Sequence, residues 1–359
     1  MKEGLKMPDW TRSMQQTFEY YEVDPGTWRD KARITNVTAS SVERNLEDET
    51  LGSSTIDCPD DLTDKYIRQY LVTVQDGIRE RFVLGTHLYQ SPSMSFDGRT
   101  KSSSQSGYTS LIELKDDVPP IGYSVLEGAN VLEIVSAKTK EVARAPVIAS
   151  SSDIALTTNF VSETGDTWLS FLSDLAQVAD YRFAEEPSGA IGFSPNTKLV
   201  KMAPIWEFND DNSSILYPDV SVERDLYGVP NVVEVIYSPS EGTPMYVTAI
   251  NNDPSSITST VTRGRKIVYR DTDPSVPDGS SEAQLQEYAQ NLLKQMSEIE
   301  YSIKFSHGYC PVRVGDCVRL NYSRAGLMGI NAKIMSQSIK CETGCRVEAT
   351  AIFTKKLWR

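Results

Sequence analysis

Residues 65–74, KYIRQYLVTV, are rich in aromatic and β-branched side chains, and they end at Gln75-Asp76-Gly77 before a second such run, IRERFVLGTHLY. Branching at Cβ suits a pleated surface and crowds a helix. Asp-Gly supplies the positive φ values that a two-residue hairpin turn requires. The pair therefore reads as an antiparallel hairpin, and the same punctuation recurs. PSMSFDGRTKSSS (92–104) repeats it around Asp97-Gly98, with the serine run 102–106 as a solvated strand end or loop. NVVEVIYS (231–238) and MYVTAINN (245–252) form another pair across a Pro/Ser/Gly loop. The last hairpin is NAKIMSQSIK-CETG-CRVEATAIF (331–353), whose Val347, Ala349 and Ala351 alternate with Arg346, Glu348 and Thr350 as a half-buried strand requires. At least five antiparallel strands are expected between Arg33 and Leu114, curled into a barrel or sandwich.

Helical periodicity is confined to a few windows. Residues 130–142, NVLEIVSAKTKEV, read as a short helix with Val131, Leu132, Ile134 and Val135 inward. The spacing of Trp168, Leu172, Leu175, Ala176 and Ala179 predicts a helix over 166–181 with Asp166 as N-cap. YRFAEEPSGAIGF (181–193) follows as strand, turn and strand. Residues 281–296 predict one more helix, opened by a Ser281/Gln284 capping box and striped by Leu285, Ala289, Leu292 and Met296. VTRGRKIVYRD (261–271) reads as strand. Pro119-Pro120 marks a break, since neither element continues through it. The expected organisation is an aromatic lead-in (1–32) whose Trp10, Phe18, Tyr20, Tyr21 and Trp28 serve packing, a first β-barrel domain (33–115), a small α/β middle domain (116–216), and a second β-barrel domain with one helix (217–359). The fold class is mainly β with an α/β insertion (α+β).

SVERNL at Ser41 is echoed by SVERDL at Ser221, 180 residues later. A match this short is weak alone, but each copy opens a β-rich region after a break and each region ends in a similar hairpin. The two β regions are read as two related units flanking the insertion. Leu46 and Leu51 after the first echo, and Tyr227, Val229 and Asn231 after the second, are expected at equivalent structural positions.

The 359 residues exceed the usual span of one core, and the 39% hydrophobic content is enough to bury two or three. No apolar run approaches the roughly 18 residues needed to cross a bilayer, and the first 21 residues show no apolar signal region, so synthesis in the cytoplasm is expected. A net charge of −13 argues against general nucleic-acid binding, which relies on clustered Lys and Arg. It suits solubility, or a surface that nucleic acid must slide past.

Chemistry-bearing motifs are scarce. No phosphate-binding loop, nucleophile elbow or H-E-x-x-H stands in the sequence. There are only two histidines, His87 inside a strand and His307 three residues before Cys310, and a Cys-His nucleophile is the weaker reading beside ordinary turn residues. Of five cysteines (Cys58, Cys310, Cys317, Cys341, Cys345), the last four lack the tight spacing of zinc ribbons. Idle thiols are favoured over zinc or a Cys341–Cys345 disulfide across the hairpin turn. EFNDDNSS (207–214) lacks the alternating oxygen spacing and distal Glu of a Ca²⁺ loop. No catalytic, cofactor or metal residue is assigned.

One ordered series of segments carries a resemblance. FEYYEVDPGTWRD (18–30), SVERNLEDETLGSSTID (41–57), SFDGRTKSSS (95–104), TWLSFLSDLAQVADYRF (167–183) with GAIGFSP (189–195), PDVSVERDLYGVPNVVEV (218–235), INNDPSSITS (250–259) with RGRKIVYRD (263–271), and VRVGDCVRL (312–320) together resemble the baseplate or tail hub proteins of tailed bacteriophages, especially contractile-tailed ones. The resemblance implies a non-enzymatic virion protein of the tail baseplate. Such a hub is a homotrimer in which two alike barrels per subunit make a pseudo-sixfold ring, adapting a sixfold tail tube to a threefold spike. The implied partners are a second copy of the chain, the tail tube or tube-initiator protein, the central spike, other baseplate proteins and the tape measure. DNA only passes through the channel, and no stable membrane binding is implied. Two other classes compete: a carbohydrate- or receptor-binding β-module of a tail, and a cell-wall hydrolase.

Overall fold

The computed structural model describes residues 7–99, 101–212, 214–239, 243–277 and 279–356. The first six residues of the lead-in and the centre of the 239–244 loop lie outside them. The chain divides into a larger unit, Met1–Val220 with Lys304–Ala351, and a smaller one, Ser221–Ile303 with Ile352–Arg359.

The elements run β1 (Gln15–Asp24), β2 (Arg29–Ile34), β3 (Ala39–Asn45), β4 (Gly52–Asp57), β5 (Lys65–Gln75), β6 (Ile78–Phe96), β7 (Lys101–Tyr108), α1 (Ile112–Asp116), β8 (Ser124–Val125), α2 (Val131–Val142), β9 (Phe160–Val161), α3 (Trp168–Val178), β10 (Tyr181–Glu185), β11 (Ile191–Pro195), β12 (Trp206–Asn209) and β13 (Leu216–Arg224). They continue with β14 (Val232–Tyr237), β15 (Met245–Ile250), α4 (Thr260–Arg263), β16 (Val268–Asp271), α5 (Glu282–Met296), β17 (Glu298–Gly308), β18 (Cys317–Tyr322), β19 (Leu327–Lys340) and β20 (Arg346–Lys356).

In the larger unit the strand order β19-β3-β4-β7-β6-β5-β1-β2 is antiparallel throughout, and β18 carries the short parallel strand β12. The mainly antiparallel class expected from the sequence is met. No closed barrel is found: among the described residues the strand path is open, because β2 pairs with β1 alone and does not pair back. Strand β5 is the buried centre. Its residues from Tyr66 to Thr73 are all buried, Tyr66 and Leu88 facing Val23 and Ile112 while Ile67 faces Tyr20, Ile56 and Tyr89. The β5–β6 hairpin closes on Asp76 (φ 52°) and Gly77 (φ 79°), the left-handed pair that Asp-Gly predicts. Strand β6 is 19 residues long because a bulge between Tyr89 and Ser91 re-aims it, so that it continues past β5 along β7 to the Asp97-Gly98 turn.

The lead-in is not merely a packed arm. Its residues 15–24 form β1, hydrogen-bonded along β5 from Gln15↔Val74 to Val23↔Tyr66. Its rings do pack: Trp10 lies edge-on to Phe82 and Tyr309, and Trp28 to Tyr66.

Helices α1, α2 and α3 and the β10–β11 hairpin share one core built on Val131, Leu132, Val135, Phe171, Leu172 and Phe183. The N-cap of α3 is Thr167 rather than Asp166. Thr167 and Ser170 exchange backbone and side-chain bonds in a capping box, and Asp166 turns back to accept from the Glu163 N–H at 2.7 Å.

The smaller unit is a three-stranded sheet, β15-β14-β16, with α5 against Val233, Val235, Val247 and Ala249. The Ser281/Gln284 capping box is present. Leu285, Ala289 and Leu293 are fully buried, so the inward stripe turns slightly from the expected one and leaves Leu292 and Met296 half-buried. Only 268–271 of the expected 261–271 strand is extended. Ser259 caps the short helix α4 before it and Gly264 ends that helix in the left-handed conformation.

Candidate functional site

Both histidines are buried. His87 is buried in β6, and burial with the nearby Arg44 charge lowers its pKa to about 3. His307 is buried in β17 between Phe208 and Phe305, with its pKa lowered by burial to about 4. Its Nδ1 lies 2.7 Å from the Gly308 carbonyl and 3.8 Å from Cys310 Sγ. Burial pushes the Cys310 thiol up to about 12. A nucleophilic cysteine needs the opposite shift, because the thiolate is the reactive form.

All five cysteines are free. Burial raises the thiols of Cys58, Cys310, Cys317, Cys341 and Cys345 alike, Cys341 to about 11. Among the described residues no group of three or more His, Cys, Asp or Glu side chains could hold a metal ion. The acidic segment near 207–212 is tied into the fold: Glu207 pairs with Arg319 at 2.9 Å, and Asp210 accepts from the Ser323 N–H and hydroxyl. Among the described residues no helix is long and apolar enough to cross a membrane.

Both echo segments lie in strands, but in different surroundings. In β3, Val42 is buried, Glu43 accepts from Ser338 at 2.7 Å, and Arg44 donates to the Leu84 carbonyl at 2.6 Å and to Gln337 at 3.1 Å. In β13, Val222 and Arg224 are exposed. Beyond the echoes, Leu46 and Leu51 are half-buried, and Asn231 is fully buried, holding the Arg265 carbonyl and the Ile267 N–H. Tyr227 is 93% exposed, so it packs no core within its unit. Arg263 fastens the loop after the second echo by donating to the carbonyls of Val229 and Leu226.

A cavity of about 370 Å³ in the larger unit is lined by Arg44, His87, Arg182, Glu185 and Lys333 among others. No motif marked it in the sequence, because its side chains come from segments hundreds of residues apart. Glu185 accepts from the Ser110 N–H at 3.3 Å, and burial raises its carboxyl to about 8.

No protein-family model matches the chain, and no curated protein matches its sequence. Among solved structures, a tail protein from Neisseria meningitidis MC58 is 14% identical, with a TM-score of 0.61 over 94% of this chain and 96% of that one. The 43 kDa tail protein of prophage MuSo2 from Shewanella oneidensis is 13% identical, with a TM-score of 0.60 over 94% of this chain and 98% of that one. At these identities the likeness is one of fold. Over nearly its whole length, this mainly antiparallel β chain is similar in fold to phage tail proteins.

Proposed function

We propose that the chain is a non-enzymatic structural protein of a phage-type tail, acting as the baseplate hub. The observation that carries this reading is the shared fold with two tail proteins over 94% of the chain. In this reading the β regions 33–115 and 217–359 descend from one unit, the echo at Ser41 and Ser221 is the trace of that duplication, and 116–216 is the insertion. Three copies then present six alike β regions in a closed ring, which matches a sixfold tube on one side and a threefold spike on the other. DNA passes through the centre without being held, and the net charge of −13 favours passage over retention. The partners are further copies, the tube or its initiator, the spike and neighbouring baseplate proteins, in the virion.

Light scattering of the purified chain, with electron-microscopic projections, tests the reading. A trimeric ring with six similar lobes around a hole is the expected result. A monomer that also fails to bind tail-tube and spike proteins overturns it and moves the assignment to a receptor- or carbohydrate-binding module.

A further inference from the structure

Two cations that line the cavity of the larger unit, Arg182 and Lys333, form no ion pair among the described residues. Arg313 at its rim is matched by Glu186 in an ion pair. Glu43 accepts from Ser338, and Asp316 from the Arg313 N–H at 2.7 Å, neutral donors that hold both carboxylates in place without matching a cation. The remaining cations form no ion pair among the described residues, although Glu185 and Asp316 lie close enough to act on Arg44. Arg44 spends its donors on two neutral acceptors, Gln337 and the Leu84 carbonyl. Arg182 reaches the Ser194 hydroxyl at 3.4 Å, a weak bond. The Lys333 ammonium has no ion-pair partner among the described residues, and Arg182 is the charge that acts on it, with the same sign. Glu185 does not compensate, since at neutral pH its raised carboxyl is protonated and presents an O–H. His87 lines the same cavity at 2% exposure, and its Nδ1 has no hydrogen-bond partner.

Half-buried cations without an ion pair, beside an unpartnered buried ring nitrogen, make a setting in which a ligand of opposite charge gains free energy. The backbone makes room for the Arg182 guanidinium. Gly315 stands at φ +90°, and a Cβ there would lie 2.9 Å from Arg182 Nη2, so any other residue would displace the guanidinium. The planar guanidinium fork matches a carboxylate or phosphate, and the lysine adds a mobile point charge.

We propose that this cavity binds a single oxyanion, a carboxylate or phosphate group, between Arg182 and Lys333, with His87 and Glu185 as neutral polar partners. The group is supplied either by a free small molecule or by an acidic side chain of another chain.

The test is thermal unfolding of the full chain with inorganic phosphate or succinate against sodium chloride of equal ionic strength, alongside light scattering. The expected result is a saturable rise in Tm for the wild type that Lys333→Met and the Arg182→Gln/Lys333→Met pair both lose. In chloride, Lys333→Met should unfold at the wild-type temperature or above, because one of two like charges is gone. If the anion is free, the Tm rise comes without any change in mass. If another chain supplies it, Lys333→Met reduces assembly and phosphate competes with assembly. An equal rise in wild type and double variant overturns the proposal, as does a lower Tm of Lys333→Met in chloride, or the absence of both a rise and competition.

Discussion

The indole N–H of Trp28 donates to the main-chain carbonyl of Ser188 at 2.7 Å, across 160 residues of sequence. It fastens the β1–β2 turn to the β10–β11 turn, and so joins the sheet to the helical core of the same unit. Arg68 reinforces the contact, donating to Ser188 at 3.1 Å and to Asp30 at 2.9 Å. Beside it Gly189, at φ +81°, leaves no space: a Cβ would fall 2.9 Å from both Trp28 Cζ2 and Thr86 Cβ.

Trp28→Phe should therefore cost about 1 kcal/mol, since Arg68 still satisfies the Ser188 carbonyl. Gly189→Ala should cost more, about 2–4 kcal/mol, because strain at positive φ adds to the overlap. Urea unfolding midpoints of the two variants check the order. A larger loss for Trp28→Phe than for Gly189→Ala would show that the hydrogen bond, not the close approach, holds the junction.

The capping box of α5 offers a test confined to the smaller unit. Ser281→Ala removes the acceptor of the Gln284 N–H and should destabilise the helix by about 1 kcal/mol. Faster amide exchange over 282–290 with unchanged exchange along β5 is the expected signature.

Buried titratable groups act on stability with opposite signs. His87 and His307 have pKa values lowered to about 3 and 4 from 6.5, so below pH 6.5 the unfolded chain binds protons that the folded chain refuses. Their burial destabilises the fold progressively as pH falls from 6.5 towards 4. Glu185 is raised to about 8 from 4.5, so between those values the folded chain holds the extra proton and stability falls as pH rises. Glu185→Gln should flatten the decline between pH 5 and 8 and leave the acid limb intact. Urea midpoints across pH 4–8 measure both, and an unchanged alkaline slope in Glu185→Gln would remove that carboxyl from the account.

Thiol reactivity should be low in the folded protein. With every thiol raised by burial, iodoacetamide at pH 8 is expected to modify Cys341, the one half-exposed cysteine, slowly and the other four still more slowly. All five should react after denaturation, as counted by mass spectrometry. Rapid labelling of Cys310 in the native chain would restore the Cys-His pair as a candidate.

Much of the local structure could be read from residues alone. Asp76-Gly77 places a turn wherever the chain carries it, because its φ values are a property of two residues. The Ser281 cap works the same way, satisfying a donor within one turn. The N-cap of α3 went to Thr167 instead of Asp166 because either side chain can accept from a helix N–H, and Ser170 completes a reciprocal pair only with Thr167. Strand β1 is hidden in QQTFEYYEVD, where adjacent Tyr20 and Tyr21 break the alternation and the aromatic richness reads as packing.

Sheet order and the polar cavity lie beyond such reading. Strand β3 pairs with β19, almost three hundred residues on, from Ser41↔Lys340 to Asn45↔Ser336, and nothing in either segment names the other. Whether the sheet closes depends on the summed twist and bulges of every strand, so open and closed arrangements share one alternation pattern. The same holds for charge. Arg182, Lys333 and Glu185 are ordinary surface-type residues in the sequence, and only their meeting in a shared cavity leaves two cations without an ion pair and raises a carboxyl by burial. Periodicity and turn chemistry act over a few residues and can be read there. Partners, burial and ionisation arise from contacts between distant segments, and they exist only once the chain has folded.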